Sequence, residues 1–260
     1  MPFQPHYVSI AGAAGITGGT AVVIDVLRAF TTAAWAFALG AERIFLTDDV
    51  DEALALKTLV PGALAMKDSR PLPGFELSNS PVELQAHDLA DRSVVQRTTH
   101  GTVGALAAKR AKHIYCASFV NAAATAEAIL RTGDSEAYFV VTGEDGLAEE
   151  DLACAEYVAA LLEQAARSPG PPDGRLSPSP QVGRGLGGGV DPAPYLARVA
   201  ASNQARIHAE RVANGTPGMH ALDVDCAMEI NRLDFAMMAR EEHVEGFGPA
   251  LVLRAYNQSE

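Results

Sequence analysis

From Thr20 onward, short apolar runs alternate with stretches whose apolar residues recur at helical spacing. The runs rich in Val, Ile, Leu and Phe predict strands over 20–26, 43–47, 63–66, 93–96, 113–118 and 137–142. The stretches between them predict helices near 31–39, 51–59, 81–86, 103–109, 121–130 and 149–166. Strand then helix, repeated, is the pattern of an α/β protein, here a three-layer α/β/α arrangement with a mostly parallel sheet covered on both faces. Residues 168–194 break it. SPGPPDGRLSPSPQVGRGLGGGVDPAP is nearly all Pro, Gly, Ser and scattered charge, too poor in apolar side chains to hold a core, and reads as a linker or insertion. Beyond it the pattern predicts a helix over 195–212, stopped at Asn214-Gly215, and another over 220–230. Residues 235–240 and 250–256 then resemble the two strands of a hairpin. The expected organisation is an α/β core over 1–167, the linker over 168–194, and C-terminal helices and a hairpin over 195–260 completing the fold.

Composition narrows the function. Apolar residues at 48% and charged residues at 20% suit a globular chain and exclude general disorder. Lys and Arg number 20 against 32 Asp and Glu, a net charge of −12 that disfavours nucleic acid, whose backbone needs a basic surface. The longest apolar stretch, 29–41, contains two threonines and a glycine and falls short of a membrane span. The first basic residue is Arg28, so no secretory leader is expected. Three widely spaced cysteines without a CxxC pair argue for a reducing cytosol and against a disulfide framework or zinc site. A cytoplasmic protein is therefore expected, with homo-oligomerisation left open.

Several motifs fail on context. The glycines at 12, 15, 18 and 19 precede the first strong strand, whereas a dinucleotide fingerprint follows a strand and opens a helix. Asp49-Val50-Asp51 superficially resembles an aspartyl-phosphatase motif, but helix capping explains it better.

In an open parallel sheet, ligands bind beyond the carboxyl ends of the strands. Those positions carry Asp25 and Arg28, the run from Thr98 to Thr102, Ser118 with Asn121, and Glu150 with Asp151; Asn79 precedes a Ser-Pro helix start. Hydroxyl and amide side chains near helix N-termini favour anions. Arg28 can grip a phosphate or carboxylate with two parallel hydrogen bonds. Asp25, Glu150 and Asp151 are hard oxygen donors of the kind Mg²⁺ prefers. Each also has a plain reading as a cap, a turn residue or an acidic first turn, and what favours a site is that four strand ends share this polar character. Cys154 reads as a small buried apolar residue.

DVLRAFTT at 25–32, GFELSNSP at 74–81, TTHGT at 98–102, SFVNAAA at 118–124 and Glu150-Asp151 with Cys154 together resemble the 2-phosphosulfolactate phosphatase family, from about residue 20 to 166. The resemblance implies a Mg²⁺-dependent phosphoric monoester hydrolase that converts 2-phospho-3-sulfolactate to 3-sulfolactate and phosphate, a step toward coenzyme M. By it, Asp25, Arg28, Glu150 and Asp151 are the expected catalytic residues, with Asp25, Glu150 and Asp151 as metal ligands or a water-activating set. Asn79, Thr98, Thr99, His100, Gly101, Thr102, Ser118 and Asn121 are expected to bind a small anionic phosphorylated substrate. The chain departs from the family pattern at His100, where asparagine is usual, at Ser78, where glycine is usual, and at Lys67-Asp68-Ser69. These departures leave open a phosphatase for another phosphorylated hydroxy acid, or an anion-binding paralogue without catalysis.

Overall fold

The computed structural model describes residues 2–167 and 189–256. Most of the expected linker, 168–188, and the final residues 257–260 therefore lie outside the described residues. In chain order the strands are β1 (Gln4–Val8), β2 (Thr20–Ile24), β3 (Arg43–Thr47), β4 (Leu64–Lys67), β5 (Leu77–Ser78), β6 (Ser93–Arg97), β7 (His113–Ala117), β8 (Glu136–Val141), β9 (Ala236–Val244) and β10 (Gly248–Tyr256). The α-helices are α1 (Ile10–Ala13), α2 (Ala29–Ala38), α3 (Val50–Leu59), α4 (Gly101–Ala107), α5 (Ala122–Thr132), α6 (Glu149–Arg167), α7 (Ala193–Ala201), α8 (Asn203–Ala213) and α9 (Asp223–Ala227).

Among the described residues the strands form one mixed, mostly parallel sheet in the order β1-β8-β2-β7-β9-β10-β3-β6-β4-β5, with helices on both sides. The α/β/α expectation holds, and the hairpin is present. Its position was not legible in the pattern: β9 and β10 lie in the middle of the sheet. β9 pairs antiparallel with β7, and β10 pairs antiparallel with β3. Three antiparallel steps in succession make the parallel group β3-β6-β4-β5 run opposite to the group β1-β8-β2-β7.

A core shared by both groups accounts for the joint. Val23, Cys116 and Val140 from one group and Ile44, Leu46 and Val94 from the other pack into one cluster with Phe30, Ala33 and Phe37 of α2. Helix α2, AFTTAAWAFA, is buried nearly all round, which explains why residues 29–41 are the most apolar stretch of the chain. Each large side chain so buried contributes about 1.5–3 kcal/mol. A second cluster joins Val22, Ile24 and Phe139 to α5 and α6, and a third joins Phe45 and Val95 to Leu56 of α3.

Local differences have plain causes. The single helix expected over 195–212 is two, because Ser202 is extended (ψ 155°) and its hydroxyl caps α8 by accepting the Ala205 N–H at 3.1 Å. The helix expected over 220–230 is only α9. Residues 83–86 form a 3₁₀ turn. Asp49 caps α3 through the Glu52 N–H at 2.9 Å, as its plain reading requires. Strand β1, an edge strand of five residues, was missed.

Candidate active site

Asp25 follows β2 directly, and one carboxylate oxygen accepts the Ala29 N–H at 2.8 Å, capping α2. Its other oxygen faces the start of α4. A Cβ at Gly101 would lie 2.8 Å from Asp25 Oδ2 and 2.6 Å from the Ala29 Cβ, so only glycine fits there. Glycine at this position lets α4 press against the acid.

Glu150 and Asp151 are neighbours in the first turn of α6, but their surroundings differ. Asp151 Oδ1 accepts the Val26 N–H at 2.8 Å; Oδ2 accepts the Gly143 N–H at 3.1 Å and lies 3.2 Å from the Thr142 hydroxyl. It ties the loop after β2 to the loop after β8. Glu150 has an oxygen, Oε2, that is buried without a partner, and the nearby Ser202 hydroxyl opposes the upward shift of its carboxyl. Burial pushes all three acids upward from the carboxylate range. The charge of Asp25 raises Glu150 and Asp151 further, and Glu150 reaches about 7.

Among the described residues, no group of three or more His, Cys, Asp or Glu side chains is arranged to hold a metal ion. Mg²⁺ does not demand such a cage: it commonly takes one or two carboxylates, keeps waters and binds substrate phosphate. The donor chemistry fits that mode. Asp25 and the unpartnered Glu150 oxygen are hard donors, whereas both Asp151 oxygens already accept from the protein.

Arg28 is 6% exposed and lies on the same β2–α2 loop as Asp25. Its Nη1 donates to the Gly218 carbonyl at 2.9 Å and forms a buried ion pair with Asp223. Burial pulls the guanidinium down from its ordinary value, and the Asp223 charge opposes that shift. Arginine stays charged in any case.

The Thr98–Thr102 loop closes on itself. Thr98 Oγ1 accepts the Thr102 N–H at 3.0 Å, and the Thr102 hydroxyl donates to the Thr98 carbonyl at 2.9 Å. These two side chains shape the loop, while Thr99 and His100 stand exposed at its tip. Asp68 holds that tip by accepting the Thr99 N–H at 2.7 Å and an Arg97 N–H at 3.3 Å. Gln96 donates to the Ala29 carbonyl at 2.9 Å, fixing β6 against α2. Asn79 is buried and anchored through its N–H to the Lys67 carbonyl at 3.1 Å. Asn121 Oδ1 accepts the Ser118 N–H at 3.1 Å. Asn79 Oδ1, Ser118 Oγ and Asn121 Nδ2 are buried polar atoms without partners, as is Glu150 Oε2.

Sequence reasoning missed Asp68, Ser80, Thr142, Ser202 and Asp223. Asp68 sat in the one segment noted as a departure from the family pattern, and Thr142 ends a predicted strand; Asp223 gave no signal beyond an acidic helix start. A groove of about 510 Å³ lies at α7–α9, lined largely by alanines, and of its lining Ser202 neighbours Glu150 and His208 neighbours Asp223. The groove lining holds no acid.

A mixed, mostly parallel sheet with three buried acids and a buried arginine just beyond its strand ends defines the class, an α/β protein with a charged strand-end cluster. The family model described as 2-phosphosulpholactate phosphatase matches residues 9–175, and the chain belongs to that family. A probable 2-phosphosulfolactate phosphatase of Bacillus subtilis (strain 168) is 35% identical over 163 residues, covering 62% of this chain and 69% of the relative. One from Deinococcus radiodurans is 40% identical over 146 residues, 55% of this chain and 61% of the relative. One from Caldicellulosiruptor saccharolyticus is 36% identical over 149 residues, 55% and 62% respectively. The match thus spans between 61% and 69% of these relatives.

Proposed function

We propose that the chain hydrolyses a small anionic phosphate monoester with Mg²⁺, converting 2-phospho-3-sulfolactate to 3-sulfolactate and phosphate. The observation that carries this reading is the imbalance of charge at the strand ends. Asp25, Glu150 and Asp151 are buried together, and Arg28 is already paired with Asp223. An anionic phosphate needs a cation to enter such a site. Mg²⁺, held through Asp25, would neutralise phosphate oxygens and ease departure of the ester oxygen.

The chain's own groups supply the rest. Arg28 orients the phosphate or a neighbouring anion. Glu150, raised to about 7 by burial, suits a base that takes a proton from the attacking water. Water oxygen bonds to phosphorus, the ester P–O bond breaks, and the proton taken by Glu150 goes to the leaving alkoxide, which becomes the hydroxy acid. Asp151 holds the two loops that carry these groups, and the Thr98–Thr102 loop positions the phosphate. Most of the rate gain then comes from positioning and charge stabilisation. The reading places the enzyme in a reducing cytosol, in keeping with Cys116, Cys154 and Cys226, which are buried and unpaired. Coenzyme M synthesis is the setting in which this reaction has a use.

The departures at His100, Ser78 and 67–69 favour a second substrate within the class, a phosphorylated hydroxy acid lacking the sulfonate. Phosphate release is measured from both compounds, with Mg²⁺ and with EDTA. Release from phosphosulfolactate that EDTA abolishes is expected. No release from either compound would overturn the hydrolase reading, release that EDTA leaves intact would remove Mg²⁺ from it, and a higher kcat/KM on the sulfonate-free compound would move the substrate.

A further inference from the structure

We propose that Asp223 is the positioning residue for Arg28, a clamp supplied by the C-terminal segment that aims the guanidinium at the substrate anion. The inference rests on the reading of Arg28 as an anion ligand. Asp223 lies beyond residues 9–175, the stretch the family model matches.

Asp223 is fully buried at the start of α9 and gathers donors from three other parts of the chain. Its Oδ1 accepts the Ser80 hydroxyl at 2.6 Å, with the Val82 N–H at 3.5 Å. Its Oδ2 pairs with Arg28 Nη1 and accepts the His220 N–H at 3.0 Å. His208 stands 3.8 Å from Oδ2 with its own Nε2 against the His220 carbonyl at 2.9 Å. One carboxylate therefore joins the β2–α2 loop, the Ser80 loop beside Asn79, and the turn before α9.

The manner of the pairing bears on function. Both side-chain bonds of Arg28, to Gly218 and to Asp223, use Nη1. The Nε and Nη2 edge has no protein acceptor among the described residues, and a guanidinium held by one nitrogen keeps that edge for a bidentate anion. Removing one member of a buried pair also leaves an uncompensated charge, so the two residues should act as a unit.

The test is a cycle of Asp223→Asn, Arg28→Ala and the double variant, read by kcat, KM and calorimetric binding of inorganic phosphate in the presence of Mg²⁺. Asp223→Asn keeps the side chain's shape and an acceptor for Ser80. It is expected to raise KM and weaken phosphate binding by about 10-fold, with a smaller change in kcat. In the Arg28→Ala background the same substitution should change either quantity less than about 2-fold, the non-additivity of a coupled pair. An equal loss in both backgrounds, or wild-type phosphate affinity in Asp223→Asn, overturns the proposal. Should Asp223→Asn fail to fold, Ser80→Ala serves: it frees one anchor of the carboxylate and should raise KM in the wild type but not beside Arg28→Ala. A wild type that binds phosphate but releases none from any ester would count against the hydrolase reading alone, since the binding cycle still judges the clamp.

Discussion

The chain before residue 168 and the chain after residue 188 build the site by different means. The first contributes acids that each have a partner close in sequence: Asp25 bonds Ala29 four residues on, and Asp151 bonds Gly143 eight residues back, besides reaching Val26 125 residues away. The second contributes Asp223, whose partners Ser80 and Arg28 are 143 and 195 residues away. The hairpin repeats the contrast. β9 and β10 are local to each other, yet they join two parallel groups formed entirely by the earlier chain. Local constellations announce themselves as motifs, and long-range ones do not. The charge arrangement follows the same division, with acids gathered in the first segment and the counter-ion of their arginine in the second.

The largest effect expected falls on the first segment's acid. Asp25→Asn keeps an oxygen to cap Ala29 and removes the charge beside Gly101, so the fold should survive. The kcat/KM in Mg²⁺ should drop about 100-fold or more, the scale on which loss of a group acting at the reacting centre is felt. Wild-type turnover in a folded variant would remove Asp25 from the chemistry and leave it a helix cap.

The same contrast explains what the sequence could show. The strands β2, β3, β6, β7 and β8 were legible because buried parallel strands read as continuous apolar runs bounded by polar turns. Asp25, Arg28, Thr98, Thr102, Glu150 and Asp151 were legible as strand-end residues. Their individual tasks were not: that Thr98 and Thr102 bond each other, or that Asp151 fastens two loops, depends on side-chain direction. β1 was hidden because QPHYV contains a proline, is half exposed and gains its structure from pairing with β8 more than a hundred residues later. Ser202 looked like one more residue of a helix, since the stop it imposes lies in its backbone angle.

The next largest effect separates two adjacent acids. Asp151→Asn places an amide N–H₂ against the Gly143 N–H or the Val26 N–H, so urea unfolding should show a loss of about 1–3 kcal/mol from the unpaired donor. Glu150→Gln should cost little stability. Because the Glu150 carboxyl is raised to about 7 from 4.5, the folded state holds its proton more tightly than the unfolded chain. In EDTA, that group's contribution to stability should therefore grow as the pH falls from about 7 toward 4.5 and level off above 7. Asp25 and Asp151 are raised in both proteins and cancel in the difference between wild type and Glu150→Gln, which should carry this limb. If Asp151→Asn is as stable as wild type, or the difference between wild type and Glu150→Gln is flat between pH 4.5 and 7, the distinction drawn between the two acids is wrong.

Arg28 lies where the two segments meet. Arg28→Lys keeps the charge and can reach Asp223, but a single ammonium cannot bond Gly218 and Asp223 while presenting a planar fork to an anion. A loss of about 10-fold in kcat/KM is expected, equivalent to about 1.4 kcal/mol of transition-state stabilisation. Unchanged kinetics in a folded lysine variant would mean that the arginine serves only to fasten the C-terminal segment.

The smallest effect concerns His208, in the second segment behind the clamp. Burial holds this imidazole below its ordinary value; the His220 carbonyl and the Asp223 charge oppose that shift, while Arg28 and Arg211 reinforce it. A histidine whose folded value is depressed binds its proton more readily when unfolded. Its contribution to stability is thus complete above the unfolded value of 6.5 and is lost as the pH falls below it. Glutamine at this position can still donate to the His220 carbonyl but does not titrate. Unfolding free energies of wild type and His208→Gln should agree within about 0.5 kcal/mol at pH 8. Between pH 7 and 5 the wild type should lose ground to the variant. The difference curve matters, because Glu150 gains stability over the same range in both proteins and cancels. A flat difference from pH 8 to 5 would show that His208 is not held in its neutral form, and that the carboxylate of Asp223 shares its charge with the imidazole as well as with Arg28.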